Sequence, residues 1–283
     1  MSLTGMILKF AAAVPRMEEY DRFLFVGPHP DDLEIGAGAS AAKWAAQGKQ
    51  VFFLICLDGR FGEGLAGGLT GDALARKRRE EAVRGAKALG VSRVFFLGRK
   101  ASGENVRCCT PEEMEHAEPV CDGGFYAQED LIQGIAHAVS LLKPQVILGP
   151  DPWSRSECHP DHLNTGKAVR QVACFAPYPG IMRGYVAEEP GLTQGAEVKA
   201  AGFYMTARPN QYVRTSGALL RKQFTAIREH GSQFPPDSGE LRSVQTYLRL
   251  RSLDFGLRRF GPHAEGFRVY GQTQMHCLPE AGE

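Results

Sequence analysis

Three absences in this 283-residue sequence exclude broad classes of function before any motif is considered. No apolar stretch approaches the ~20 residues that a membrane-spanning helix needs, so we expect no membrane partner. The formal net charge is +1, so no overall field attracts nucleic acid or an anionic membrane surface. Composition therefore favours a protein that recognises a small molecule through local groups, with no nucleic-acid partner.

Paired cysteines and a serine nucleophile are also missing. The seven cysteines are odd in number and no pair has zinc-finger spacing; Cys56 and Cys174 lie in apolar runs, as small core residues do. This usage favours a reduced, cytoplasmic protein over a disulfide framework. The sequence has no G-x-S-x-G motif, so Ser154 and Ser156 do not indicate a serine hydrolase, although both lie close to His159.

The first two-thirds of the chain alternates short apolar runs with helical patterns. Predicted strands cover 22–27, 51–58, 93–98 and 145–150, and predicted helices cover 38–48, 72–91 and 129–144. Continuous apolar strands that alternate with helices are typical of a parallel sheet covered on both faces. The fold class predicted is α/β, with a Rossmann-like, mostly parallel sheet and helices on both faces.

The pattern weakens after about residue 175. We predict a smaller C-terminal helical and strand portion there, with a strand at 201–207 and helices at 216–231 and 240–261. The sequence shows no internal repeat and no clear linker, so the chain is predicted to form one domain over 1–283.

Ligands of such sheets bind beyond the carboxyl ends of the strands. The segments predicted at that edge are 27–36, 58–70, 98–128 and 149–162. Two connections, 59–71 and 99–128, are long for a compact domain, and connections of that length are usually functional or mobile.

A glycine pattern close to the first strand matches a dinucleotide-binding fingerprint. Gly36, Gly38 and Ala41 have the fingerprint spacing, and Asp58 follows about twenty residues later. However, the strand ends near Val26, and the turn that should hold the glycines is occupied by acidic residues that repel a pyrophosphate. We therefore interpret the glycines as close packing of a helix on the sheet.

Two similar motifs follow the first and fourth predicted strands. The first is HPDD at 29–32 and the second is HPDH at 159–162. Either motif alone would be explained as a helix start, with Asp as a cap and Pro in the first turn. Because both project from the same edge of the sheet, His29, Asp32 and His162 are predicted to bind one metal ion, as in catalytic zinc sites with three N/O ligands. Iron(II) fits the same ligands.

The remaining motif residues suggest a hydrolytic mechanism. A bound zinc ion lowers the pKa of water to about 7. Asp31, next to a ligand, could accept the proton as a general base. His159 could stabilise an oxyanion or protonate a leaving amine, and Asp161 could orient the imidazole of His159.

The motifs resemble the PIG-L/LmbE-like superfamily of zinc-dependent N-acetylglucosaminyl deacetylases, which includes enzymes of mycothiol and bacillithiol biosynthesis. The matching segments are VGPHPDDLEIGAG, CHPDH, RREEAVRGAKALGV and AEGFRVYG, of which the first and last look closest to the bacillithiol branch. The resemblance implies His29, Asp32 and His162 as zinc ligands, Asp31 as the base and His159, with Asp161 behind it, as the electrophilic or acid residue. It also implies that Arg78 points toward the active-site rim as a substrate-binding residue, and that the protein forms homo-oligomers such as hexamers.

The sequence departs from the family pattern at 208–216, where Arg208 and Arg214 stand in place of His and Asp. Extra arginine would favour an anionic aglycone such as a malate or a phosphate. The resemblance implies removal of the N-acetyl group from an N-acetylglucosamine-type conjugate, giving acetate and a free amine. Two alternatives stay open: an amidase of a thiol or sugar conjugate with the same site, and a non-catalytic sugar- or nucleotide-binding module on the same fold.

Overall fold

The computed structural model describes residues 12–64, 67–91, 93–100, 105–186 and 189–276. The strands are β1 (Arg22–Gly27), β2 (Gln50–Ile55), β3 (Arg93–Lys100), β4 (Val106–Cys109), β5 (Ala117–Pro119), β6 (Val146–Pro150), β7 (Ala200–Tyr204), β8 (Gln211–Arg214) and β9 (Ala264–Gly271). The helices are α1 (Asp32–Ala46), α2 (Gly71–Leu89), α3 (Gln128–Leu142), α4 (Pro160–Phe175), α5 (Pro179–Met182), α6 (Gly217–Arg228), α7 (Gly239–Leu257) and α8 (Gln272–His276). Short 3₁₀ helices lie at Met17–Glu19 and Glu113–His116.

The sheet has a parallel centre and antiparallel edges. Parallel pairing joins β3, β2, β1, β6 and β7 in that spatial order. Strands β4 and β5 add antiparallel to β3, and β9 adds antiparallel to β7 and β8. The predicted fold class, an α/β protein with a mostly parallel sheet and helices on both faces, is confirmed.

Alternate side chains of the central strands fill the cores on the two faces of the sheet. On β1, Leu24 and Val26 pack with α3 and α4, whereas Phe23 and Phe25 pack with α1 and α2. Phe23 stacks on Trp44 of α1, with ring centroids 4.1 Å apart. A smaller apolar cluster joins α6 to α7 in the C-terminal portion. Within the described ranges, no helix is both long and apolar enough to cross a bilayer.

The order of the strands brings the two motif loops together. Strands β1 and β6 are paired neighbours although the chain reaches β6 only after β2 and β3. The connections after β1 and β6 therefore diverge to opposite faces, which leaves a crevice at the carboxyl ends of these two strands. HPDD follows β1 and HPDH follows β6, so both motifs line this crevice.

The prediction of one long loop over 99–128 is wrong in large part. Strand β3 continues to Lys100 and pairs with β4 and β5, which both lie within that segment. Both added strands are short: four and three residues. Strands of that length carry too few residues to show an apolar alternation in the sequence. The irregular segment that remains before α3 contributes to the site described below.

Helix α1 begins six residues before the predicted helix and contains a break. Ala37 has non-helical dihedrals (φ −153°, ψ 23°), and the segment after it matches the helix predicted from residue 38. Two buried side chains satisfy the backbone at the break. Gln223 Nε2 donates to the carbonyl of Glu34 at 2.8 Å, and the Glu265 carboxylate accepts from the N–H groups of Ala39 and Ser40 at 3.2 and 2.7 Å.

The glycines of the apparent nucleotide fingerprint serve packing. A Cβ at Gly36 would lie 2.4 Å from the ring of Tyr204, and a Cβ at Gly38 would lie 3.0 Å from Gln223. The contact at Gly36 requires glycine, because real Cβ atoms do not approach a ring so closely, whereas the contact at Gly38 is tight but involves a flexible side chain. The packing interpretation is therefore confirmed for Gly36, which packs against Tyr204 of β7, whereas Gly38 packs against Gln223 of α6.

Candidate metal centre

The HPDD loop places two adjacent carboxylates in different surroundings. Asp31 has φ 118°, in the left-handed region that favours glycine, and it is the N-cap residue of α1. Such backbone strain in a non-glycine residue is commonly retained at functional sites. Asp32 turns back instead, and its Oδ2 accepts from the backbone N–H of His29 at 2.8 Å.

The HPDH loop forms the N-terminus of α4. His159 is the N-cap residue, and its Nδ1 accepts from the backbone N–H of Asp161 at 3.3 Å. Pro160 occupies the first helical position, where its fixed φ suits the helix and no N–H is needed. This cap fixes the starting direction of α4 and with it the placement of His162 in the first turn.

The three predicted ligands converge. Oδ2 of Asp32 lies 3.2 Å from Nδ1 of His29 and 3.6 Å from Nε2 of His162. Potential ligand atoms of these three residues all lie within 4.8 Å of one another. Two imidazole nitrogens and one carboxylate oxygen suit Zn²⁺ or Fe²⁺, so the donor set fits the predicted metal.

A carboxylate lies behind each of the two imidazoles. Oδ2 of Asp161 is 2.9 Å from Nε2 of His29, and Oε2 of Glu157 is 2.9 Å from Nδ1 of His162. Paired in this way, each ring keeps its other nitrogen for a metal, which is the usual carboxylate–histidine–metal arrangement. The expectation that Asp161 orients His159 is therefore wrong, since the nearest approach of that carboxylate to Nδ1 of His159 is 3.9 Å.

The position of Asp161 is fixed from a loop that sequence reasoning did not assign. The backbone N–H groups of Gly123 and Gly124 donate to Oδ2 and Oδ1 of Asp161 at 2.7 and 2.9 Å. Both glycines have φ near 80° (74° and 80°), which glycine adopts without strain. Asp161 is fully buried, and these donors compensate its charge.

Glu157 offers a test of this arrangement. We expect Glu157→Gln to weaken zinc binding by about 10- to 100-fold, because a neutral amide no longer raises the basicity of His162. Competition with a chelator of known affinity measures this effect. Glu197→Gln is the matched control, because the side chain of Glu197 is 85% exposed and pairs with Lys199. Wild-type zinc affinity in Glu157→Gln would remove Glu157 from the site.

Arg78 lies beneath the site, in a position that differs from the predicted rim. Its side chain is 5% exposed, and its Nη2 is 3.1 Å from Oδ2 of Asp31 and donates to the carbonyl of Pro30 at 2.8 Å. Nη1 donates to the carbonyl of Gly59 at 3.0 Å. Arg78 thus joins the loop after β1 to the loop after β2, because its guanidinium reaches both carbonyls and the carboxylate at once.

A second buried ion pair lies behind Asp31. Nε2 of His230 is 3.4 Å from Oε1 of Glu34, and both side chains are almost fully buried. Two residues on, the N–H and hydroxyl of Ser232 donate to the Glu81 carboxylate on α2. His230 could not be found from the sequence, because no local pattern links the residues after α6 to the loop after β1. Glu157, two residues before HPDH, could have been found from its acidic side chain beside the motif.

The two arginines that were expected to favour an anionic aglycone lie elsewhere. Arg214 is on β8, where its Nη2 donates to the carbonyl of Arg259 at 2.9 Å, and Arg208 lies exposed between β7 and β8. Neither arginine contacts the motif residues among the hydrogen bonds and ion pairs of the described chain.

Burial and charge shift the pKa values of the site strongly. Burial disfavours the charge on His29, but hydrogen bonds to Asp161 and Asp32 outweigh it and raise the pKa of His29 from 6.5 to about 10. Burial raises the pKa of Asp31 from 3.8 to about 6, against the opposing charge of Arg78. Burial acts in the same direction on Asp32, but hydrogen bonding and charge from His29, with the charge of His162, hold its pKa well below the usual range.

His159 has a defined tautomer. Because its Nδ1 accepts a backbone N–H, the proton of the neutral ring lies on Nε2. Burial, with the charges of His29 and His162, lowers the pKa of His159, so the ring is neutral near pH 7. Its ring stacks on His162 with centroids 4.9 Å apart, and its side chain is 47% exposed. His159 therefore presents an N–H donor beside the predicted metal ligands.

Comparisons with known proteins identify the family to which the chain belongs. A family model described as PIG-L, GlcNAc-PI de-N-acetylase, matches residues 24–173, which include both motifs. The chain is 31% identical to diacetylchitobiose deacetylase of Thermococcus kodakarensis over 260 residues, covering 92% of this chain and 87% of that protein. It is 32% identical to 1D-myo-inositol 2-acetamido-2-deoxy-alpha-D-glucopyranoside deacetylase of a Nocardioides species over 212 residues, covering 71% and 67%.

A solved structure extends the likeness to the whole fold. N,N'-diacetylchitobiose deacetylase from Pyrococcus horikoshii aligns with a TM-score of 0.78 at 25% identity, covering 99% of this chain and 97% of that one. The family model, the two relatives and this structure are all described as deacetylases. The chain belongs to the PIG-L family, which confirms the resemblance to LmbE-like deacetylases.

Proposed function

We propose that the protein is a metal-dependent N-deacetylase that hydrolyses the N-acetyl group of an N-acetylglucosamine-type conjugate to acetate and a free amine. The observation that carries the proposal is the convergence of His29, Asp32 and His162 beside Asp31, a buried residue with a strained backbone. Relatives whose names describe deacetylation of amino-sugar compounds support the substrate class.

The three ligand residues would hold one zinc ion, with iron(II) as the alternative metal. Zinc supplies a Lewis acid that polarises an amide carbonyl and allows water to act as a nucleophile at neutral pH. Asp161 and Glu157 orient the two imidazoles from behind, so that the remaining nitrogens face one point.

Asp31 is proposed as the general base. Arg78 holds Oδ2 of Asp31, and none of the described residues donates to Oδ1, which leaves that oxygen to take a proton from water. A pKa raised to about 6 is suited to a base that works near neutral pH. The same carboxyl group can then pass the proton to the departing amine.

His159 is proposed as the oxyanion donor. Its Nε2–H is oriented by the N-cap hydrogen bond and can donate to the carbonyl oxygen as negative charge develops there. Of the two roles predicted for His159, the neutral ring favours donation of a hydrogen bond over transfer of a proton.

Acetate release tests the function. Protein stripped of metal and then reloaded with zinc or iron(II) is incubated with N-acetylglucosamine, N,N'-diacetylchitobiose and an N-acetylglucosaminyl inositol, and acetate is measured enzymatically. We expect release only after reloading. Acetate release that is equal with and without metal would contradict the metal-dependent mechanism, and a silent sugar panel with intact metal binding would favour the amidase or the binding module.

The predicted homo-oligomer is retained as a proposal for the same protein. Light scattering coupled to size-exclusion chromatography measures the mass directly against the 30.9 kDa of the chain. A monomer at all concentrations would contradict it.

A further inference from the structure

Two phenylalanines are exposed together at the edge of the sheet that carries the metal centre. Phe61, in the loop after β2, is 52% exposed, and Phe125, in the loop before α3, is 73% exposed. Their ring centroids lie 5.5 Å apart at 62°, an edge-to-face contact. We call these two residues the aromatic pair. An exposed apolar cluster on loops at a ligand-binding edge commonly marks a contact site.

The aromatic pair is built on the loop that holds Asp161. A Cβ added at Gly123 would lie 3.3 Å from both rings, so the two rings pack against the Gly123 peptide. The N–H of that same residue donates to Oδ2 of Asp161, which in turn is 2.9 Å from Nε2 of His29. The aromatic pair is therefore connected to His29 through two residues, Gly123 and Asp161, and two hydrogen bonds.

Fixed contacts hold the loop of Phe61 beside that of Phe125. The backbone N–H of Phe61 lies 3.4 Å from both carboxylate oxygens of Asp122. Arg78 donates to the carbonyl of Gly59, and Nε2 of Gln233 donates to the carbonyl of Gly62 at 2.8 Å. Because backbone groups on both sides of Phe61 are bonded, the backbone that carries the ring is held in place before any ligand arrives.

The chemistry of the rings selects the ligand. A pyranose ring has polar hydroxyl groups around its rim and an apolar face of C–H groups, which carry a small positive charge. The face of an aromatic ring is negative and apolar, so it attracts such C–H groups while the hydroxyl groups stay in water. Water and acetate, the small reactant and the small product of the hydrolysis, gain nothing from two exposed phenyl rings.

We propose that Phe61 and Phe125 form a sugar subsite that receives the apolar face of a pyranose ring of the substrate. This inference rests on the proposed function, since it assigns the rings to a substrate of the same metal centre. A second copy of the chain is the competing occupant of the aromatic pair.

The test measures kcat and KM for N,N'-diacetylchitobiose with the zinc-loaded protein. We expect Phe61→Ala and Phe125→Ala each to raise KM about fivefold with kcat within about twofold of wild type, because a stacking contact binds ground state and transition state alike. Phe125→Tyr should restore KM, whereas Phe125→Leu, which keeps apolar volume without the ring, should not. Phe260→Ala is the matched control, because Phe260 is 98% exposed and lies after α7.

The outcomes separate this inference from the proposed function. If the wild type releases acetate and the Phe61 and Phe125 variants keep the KM of the Phe260 control, the sugar subsite is overturned and the deacetylase stands. If the wild type releases no acetate from any sugar, the proposed function itself fails, and the subsite fails with it. Light scattering is run on every variant; a KM change that accompanies a change in mass overturns the subsite in favour of an interface between copies.

Discussion

Asp31→Asn is expected to lower kcat for acetate release by about 1000-fold while zinc content and KM stay close to wild type. Asn keeps an oxygen that can accept from Arg78, so the buried guanidinium retains its partner and the loop its shape. It cannot take a proton from water, and the loss therefore falls on turnover alone. Steady-state kinetics with metal analysis by mass spectrometry measures both quantities on the same sample.

The adjacent residue supplies the matched control. Asp32→Ala removes the oxygen that lies near both His29 and His162, so we expect loss of zinc together with loss of activity. Asp31→Ala, in contrast, should retain zinc and lose turnover. Full zinc occupancy in Asp32→Ala would contradict the ligand assignment, and wild-type kcat in Asp31→Asn would contradict the role of the base.

Zinc affinity is expected to rise about tenfold for each pH unit between pH 7 and pH 9. In the metal-free protein the pKa of His29 is raised to about 10, so its ring carries an extra proton over this whole range. Zinc must displace that proton, and the cost of removing it falls as the pH rises toward the pKa. Calorimetry at pH 7.5 in two buffers of different ionisation enthalpy should show release of about one proton from His29.

The same raised pKa predicts a stability change in the metal-free protein. A pKa raised in the folded state stabilises the fold fully below the unfolded value of 6.5, and the stabilisation is lost as the pH rises toward about 10. Asp161→Asn removes the hydrogen-bond partner that contributes most to raising the pKa of His29, so it should weaken both the pH dependence of stability and the release of the proton. A pH-independent zinc affinity in the wild type would show that His29 binds no extra proton.

The sequence predicted the fold and the residues that meet at the metal centre, for a physical reason. Apolar strands that are buried on both faces have a clear pattern, and parallel strands end at a common edge. It was therefore possible to predict, from two separate motifs, that His29, Asp32 and His162 lie close together. Their roles as ligands remain predictions, which the metal analyses above test.

The residues that hydrogen-bond to the predicted metal ligands could not be predicted from the sequence. Asp161 was assigned to His159, its near neighbour, because sequence spacing does not show how the first turn of α4 aims a side chain. Hydrogen bonds from Gly123 and Gly124 turn the carboxylate toward His29 instead. His230 reaches Glu34 across almost two hundred residues, and such a contact has no local signature in the chain.

The break in α1 makes the structure of the metal centre depend on residues that lie far away in the sequence. Asp32 is the first residue of α1, while the backbone at the break is satisfied by Gln223 from α6 and Glu265 from β9. If the C-terminal portion unfolds locally, the side chains of Gln223 and Glu265 no longer bond the backbone at the break. The first turn of α1 is then less well held. Metal release and opening of the C-terminal portion then form one cooperative unit, so bound zinc should slow amide hydrogen exchange in β9 as well as in the two motif loops.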